Sequence, residues 1–250
     1  MMGICQLCKK EKELIKRSHI WPDFMYKGMY DAKGRLYVLN SADLTKHQTV
    51  QSGSHQSGIF CSQCDNVALG KLERYASNYL FRKPYLAEGP EFKQVKVARD
   101  MDLIYCQKLD YNQFKRFLLS LLWRASISKE ALFENFKLSE EQEEFLRECI
   151  YSEAVVDEAI FPCVMMTAEV PEQDENFIAI DATKPELIKF YINSFVYTYY
   201  LDGNENEMVR QLAIGMDKKM GILRASKEQW QQIRDSIING TIAHSKNPKL

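Results

Sequence analysis

The chain has 250 residues, 46% hydrophobic and 27% charged, with seven cysteines and a formal net charge of −1. This is the composition of a folded globular chain with a sizeable core, and it excludes a disordered, collagen-like or repeat protein. The longest apolar run, Phe117 to Trp123, is flanked by Arg116 and Arg124 and falls well short of the roughly 20 residues that cross a bilayer, so no membrane association is expected.

The charge is unevenly spread. Residues 1–85 carry 13 Lys and Arg against 7 Asp and Glu, a balance of +6, whereas the remainder stands at −7. A basic first third points to an anionic partner such as nucleic acid. The N-terminus, MMGICQLCKKEK, has no apolar signal core, and the expected compartment is the cytoplasm.

In chain order, residues 1–40 read as a CxxC turn followed by short strands. The polar stretch 45–58 reads as an exposed loop that includes His47 and His55. After Cys64, Leu69, Leu72, Ala76, Tyr79 and Leu80 recur every three or four residues and predict a helix that ends before Pro84. The charge balance changes there, which divides the chain into 1–85 and 86–250. Phe114, Phe117, Leu118, Leu121, Leu122 and Ala125 predict an amphipathic helix over 111–127. Ser139 with Gln142 is a capping box that opens a second helix through Cys149-Ile150. Strand-like runs follow at 160–170, 176–181 and 187–201; the aromatic segment Phe195 to Tyr200 reads as a buried strand. Ser226 with Gln229 caps a last helix that Gly240 ends, leaving 241–250 as a tail. The second segment is therefore α+β.

The strongest chemical signal is the pair Cys5-x2-Cys8 and Cys61-x2-Cys64. Two CxxC turns offer four thiolates to one tetrahedral zinc, and four thiolates leave no open position for substrate, so the zinc is structural. The 52 residues between Cys8 and Cys61 exceed the roughly 15–20 of a simple zinc ribbon. Cys106, Cys149 and Cys163 lie among apolar residues and read as small core residues.

Between the knuckles stands Ser18-His19-Ile20-Trp21-Pro22, and Asp65-Asn66 follows the second knuckle. This layout, CxxC, then H-I-x-P, then CxxC with a polar residue after it, resembles the zinc-stabilised HNH (ββα-metal, His-Me finger) endonucleases over residues 5 to about 82. The resemblance implies an α+β chain: an N-terminal zinc-stabilised ββα-metal finger, 1–85, followed by a larger α+β domain, 86–250, that binds a partner, positions substrate or forms a homo-oligomer. It implies hydrolysis of phosphodiester bonds, in DNA more than RNA, as in effectors of prokaryotic anti-phage or restriction systems. His19 would be the general base and Asp65 would help hold a catalytic Mg²⁺ or Mn²⁺. Ser18, His55, Gln56 and Asn66 are candidates for the rest of that metal shell, and Lys9, Lys10, Lys12, Lys16 and Arg17 would grip phosphates.

Ser18 stands where the family has Asp or His, and this departure supports an alternative: a catalytically inactive finger that binds nucleic acid or protein. Taken singly, Asp65 would be an N-cap and Glu73 a solvated helix residue.

Overall fold

The computed structural model describes residues 1–31, 33, 35–40, 43–50, 53–80, 92–168, 177–202 and 207–246, with backbone alone over 37–40, 43–50, 238 and 240–246. Strands β1 (Met2–Ile4) and β2 (Glu11–Glu13) form a hairpin with the first CxxC at its tip. Strand β3 (Ser18–His19) is followed by a tight turn at Asp23–Tyr26, by the hairpin of β4 (Leu36–Asn40) with β5 (Asp43–Val50), and by β6 (His55–Gln56). β3 pairs antiparallel with β6. A helical stretch over Gln63–Leu69 then passes into α1 (Gly70–Leu80).

The stretch expected as a loop at 45–58 thus contains most of β5 and all of β6. Thr45, Thr49 and Val50 are good strand formers, and a count of polar residues conceals them. In α1 the predicted face holds: Leu72, Ala76 and Leu80 are buried, together with Leu69 just before it. The helix end at Pro84, the boundary at 85, residues 247–250 and the His47 side chain lie outside the described residues.

Helix α2 (Tyr111–Ile127) matches its predicted bounds and starts with Asp110, whose carboxylate accepts the Gln113 N–H at 3.0 Å. It is not amphipathic in place. Every residue from Phe114 to Ser126 is buried, including Lys115, Arg116, Ser120 and Arg124, because α2 is covered on several sides. Tyr199 donates to the Leu118 carbonyl at 2.9 Å from the sheet, Trp123 packs on Phe60, and Phe117 stacks on Phe24. Helix α3 (Glu140–Tyr151) has the full capping box: Ser139 Oγ accepts the Gln142 N–H, and the Gln142 side chain accepts the Ser139 N–H. Ser139→Ala should cost about 1 kcal/mol, measurable as a shift of the urea midpoint at unchanged slope; no shift would mean the box is idle.

A seven-stranded sheet completes the fold. Its strands are β7 (Phe92–Ala98), β8 (Met101–Cys106), β9 (Cys163–Ala168), β10 (Phe177–Lys184), β11 (Leu187–Asn193), β12 (Phe195–Tyr200) and β13 (Met220–Ala225), in the order β10-β11-β12-β9-β13-β8-β7. Among the described residues only the β9–β13 pair is parallel. The run expected at 187–201 is two strands folded back at Ser194, with Asn193 at φ 62°, and Phe195, Val196, Tyr197 and Tyr199 are buried as the sequence indicates. Helices α4 (Glu207–Leu212) and α5 (Lys227–Lys246) cover the face away from α2: Val209 and Leu212 pack with Val164, and Trp230 with Tyr191 and Val196. α5 has the expected Ser226 cap but continues through Gly240 to Lys246, since one interior glycine costs only about 1 kcal/mol.

The segments expected at 1–85 and 86–250 bury one continuous cluster, from Cys5, Trp21, Phe60 and Leu72 to Phe117, Trp123, Tyr199 and Ile222. Trp21 is fully buried against Phe133, at 4.8 Å between ring centroids, and Phe190, at 5.1 Å. Asn193 Nδ2 donates to the Lys27 carbonyl at 2.8 Å and to the Met25 carbonyl at 3.4 Å, and Arg147 donates to the Leu7 carbonyl at 2.9 Å. No helix among the described residues is long and apolar enough to cross a membrane.

Candidate metal centre and adjoining cleft

The two knuckles meet. The ligand atoms of Cys5, Cys8, Cys61 and Cys64 all lie within 4.8 Å of one another, and this is the only such group of His, Cys, Asp or Glu among the described residues. The sequence builds each knuckle from backbone bonds. In the first, the Lys9 N–H bonds the Cys5 carbonyl at 2.8 Å with Lys9 at φ 55°, and the Cys5 N–H returns to the Lys10 carbonyl. In the second, the Cys64 and Asp65 N–H groups both bond the Cys61 carbonyl at 3.0 Å. The Cys61 N–H donates to Cys5 Sγ at 3.3 Å and joins the two.

Burial opposes ionisation of Cys5, but N–H groups of Cys8, Cys61 and Leu7 outweigh it and hold its thiol at about 7. Burial, the bond to Cys61 and the nearby Cys5 push Cys64 up. Four converging sulfurs of this kind can hold a metal ion such as zinc. The other three cysteines differ. Cys106 and Cys163 are buried, and burial pushes both thiols up to about 12; Cys149 is half-buried and raised as well. A thiol reagent should therefore reach at most Cys149 in the metal-loaded protein, and the remaining six cysteines once chelation opens the fold. Rapid reaction of five thiols without chelator would contradict a bound metal.

The second knuckle also sets the helix that faces β3. The Gly70 N–H reaches the Asp65 carbonyl five residues back, a wide turn rather than a regular α-helical one. The helical stretch starts after Ser62, so Asp65 lies inside it and is not the N-cap. An open cleft of about 320 Å³ results, lined by His19, Phe24, Asp65, Asn66, Gly70, Glu73, Arg74 and Ser77.

His19 and His55 stand opposite one another in the β3–β6 ladder, and Ser18 stands opposite Gln56. Burial holds the His19 imidazole below its ordinary 6.5, against the opposing pull of Asp23 and Glu73. Burial raises the Asp65 carboxyl to about 6; Arg124 and Ser18 favour its charged form and Glu73 disfavours it. Ser18 is fully buried, and its hydroxyl makes no hydrogen bond of ordinary geometry.

The other sequence candidates separate. Asn66 lines the cleft and donates to Ser62 Oγ at 3.0 Å. His55 Nδ1 lies 3.1 Å from the Gly53 carbonyl. Gln56 turns its side-chain oxygen to the Lys129 N–H at 2.8 Å and so ties β6 to the loop after α2. Lys9 pairs with Glu144 at 3.8 Å on the surface. Lys10, Lys16 and Arg17 are exposed and Lys12 half-buried; none of the five basic candidates lines the cleft.

Three residues in or behind the cleft wall escaped sequence reasoning. Glu73 is not simply solvated: it accepts from Arg124 at 2.7 Å and is only 26% exposed. Arg124, on α2, is 1% exposed. Arg74 projects from α1 at the rim and is exposed. The spacing Asn66, Gly70, Arg74, four residues apart, is the one signal that could have placed Arg74. The chain matches no protein-family model, no curated protein and no solved structure.

Proposed function

We propose that the chain is a metal-dependent, HNH-like endonuclease that hydrolyses nucleic-acid phosphodiester bonds, in DNA more than RNA. In this reading Cys5, Cys8, Cys61 and Cys64 hold a structural zinc within a ββα finger made of β3, β6 and the helix that carries Asp65. The observation that carries it is the meeting of His19 and Asp65 at one open cleft, with Asp65 directly after the second knuckle.

The donor set suits a hard cation. Mg²⁺ and Mn²⁺ need one or two carboxylates, with water and substrate phosphate completing the shell. Asp65 supplies the carboxylate, and the orphaned Ser18 hydroxyl beside it is a further oxygen. When bound, the ion would neutralise charge on the phosphate and the leaving oxygen.

The chain's own residues do the rest. The lowered pKa of His19 keeps its imidazole neutral at pH 7, ready to take a proton from the attacking water. Arg74 at the rim is placed to hold the scissile strand by a phosphate oxygen. The role of such an activity in anti-phage defence or restriction belongs to this same proposal.

The test is to incubate the protein with supercoiled plasmid and Mg²⁺ or Mn²⁺ across pH 5 to 8.5. Nicked and linear products should form at a rate that is flat above neutrality. The rate should fall only as pH drops below the ordinary 6.5 of histidine, because protonation removes the base and, at about 6, the Asp65 carboxylate that would hold the metal. Salt-sensitive binding without cutting at any pH or metal would favour the binding module that Ser18 suggests.

A further inference from the structure

Arg124 lies in the last turn of α2 and is almost wholly buried. Its guanidinium joins three elements. Nη1 donates to Glu73 Oε1 on α1 at 2.7 Å and to the His19 carbonyl on β3 at 3.3 Å. Nε donates to the Ser120 carbonyl at 3.2 Å, and Nη2 to Ser120 Oγ at 3.3 Å, both on α2 itself. The backbone of the candidate base is thus held from a helix that begins 92 residues further along the chain, in a part with no cleft-lining residue among those described.

Resting on the nuclease reading, we propose that Arg124 is the positioning residue of the cleft: α2 uses it to lock the His19 backbone against Glu73, so that the imidazole faces substrate in one orientation. Stability alone is a poor reason for a buried cation here. A buried ion pair can often be replaced by apolar side chains of similar volume with no loss of stability, and the neighbours on α2, Leu121, Trp123 and Ala125, are apolar.

The planar fork matters. A lysine could meet Glu73 but could not also hold Ser120 and the His19 carbonyl in fixed directions. Around His19 stand Asp23, Glu73, His55 and Arg124, and the charge of Arg124 also disfavours a second proton on His19. The finger therefore supplies the reacting groups, and the larger part supplies their alignment.

The experiment uses full-length Arg124→Lys and Arg124→Met, each checked for zinc content and melting temperature. Cutting under single-turnover conditions and duplex Kd are measured separately. Loss of alignment predicts a cutting rate about 100-fold lower at unchanged Kd and zinc content, with the lysine variant no better than partly rescued. Should Arg124→Met fail to fold, Arg124→Lys is read alone. Wild-type cutting rate in a folded Arg124→Lys would overturn the proposal.

The His19 ring ¹⁵N resonances give a reading that needs no activity. They should be single and sharp in the wild type and broadened or split in the variants. If the wild type cuts nothing but its His19 signals are disturbed by Arg124→Lys, the nuclease reading fails and the positioning role stands. Undisturbed signals would remove the positioning role whatever the wild type does.

Discussion

Cys61→Ser, or stripping the metal with a chelator, should unfold the whole chain in one transition rather than loosen its first third. A structural zinc contributes about 10–16 kcal/mol in zinc-finger peptides, as much as the 5–15 kcal/mol by which a typical domain is stable. The N-terminal segment has no separate core to fall back on. Trp21 is buried against Phe133 and Phe190, Phe60 against Trp123, and Phe24 against Phe117. When the knuckles open, these partners in α2 and the sheet lose their cover.

The three tryptophans report on this separately. Trp21 sits just after β3, Trp123 in α2 and Trp230 on the far face of the sheet. Fluorescence of single-tryptophan variants should show all three changing at one denaturant concentration. An unchanged Trp230 after zinc loss would mean that the sheet stands alone.

The parts of the fold legible in the sequence are those set by local rules. The bounds of α2, the capping box at Ser139 and the two knuckles depend on residue type at short spacing, and the structure has all three. What escaped depends on contacts distant in sequence. β7 carries exposed Lys93, Val95, Lys96 and Val97 at a sheet edge, so it shows no buried alternation. Arg124 reads as the polar flank of an apolar run, because nothing local reveals that Glu73 and the His19 carbonyl meet it.

The candidate site divides in the same way. His19 and Asp65 could be singled out by their place relative to the cysteines, and the fold brings both to the cleft. Gln56 could not be assigned from spacing, since its partner is a backbone N–H 73 residues away.

His19→Ala should abolish cutting and leave the protein folded. A general base contributes about 10²–10⁴-fold to a rate, and a methyl group cannot replace it. The fold should tolerate the change, because β3 is held by backbone bonds and Arg124 grips the His19 carbonyl rather than its ring. The imidazole is half-buried and lines an open cleft, so its removal leaves space that water can fill. The melting temperature and zinc content should stay those of the wild type.

The most direct measurement sets wild type and His19→Ala side by side on supercoiled plasmid, in Mg²⁺ and in EDTA, with zinc content determined on the same samples. The account predicts nicking by the wild type in Mg²⁺ alone and none by the variant. Equal nicking by both proteins, or none by a zinc-loaded wild type that binds the plasmid, would contradict it.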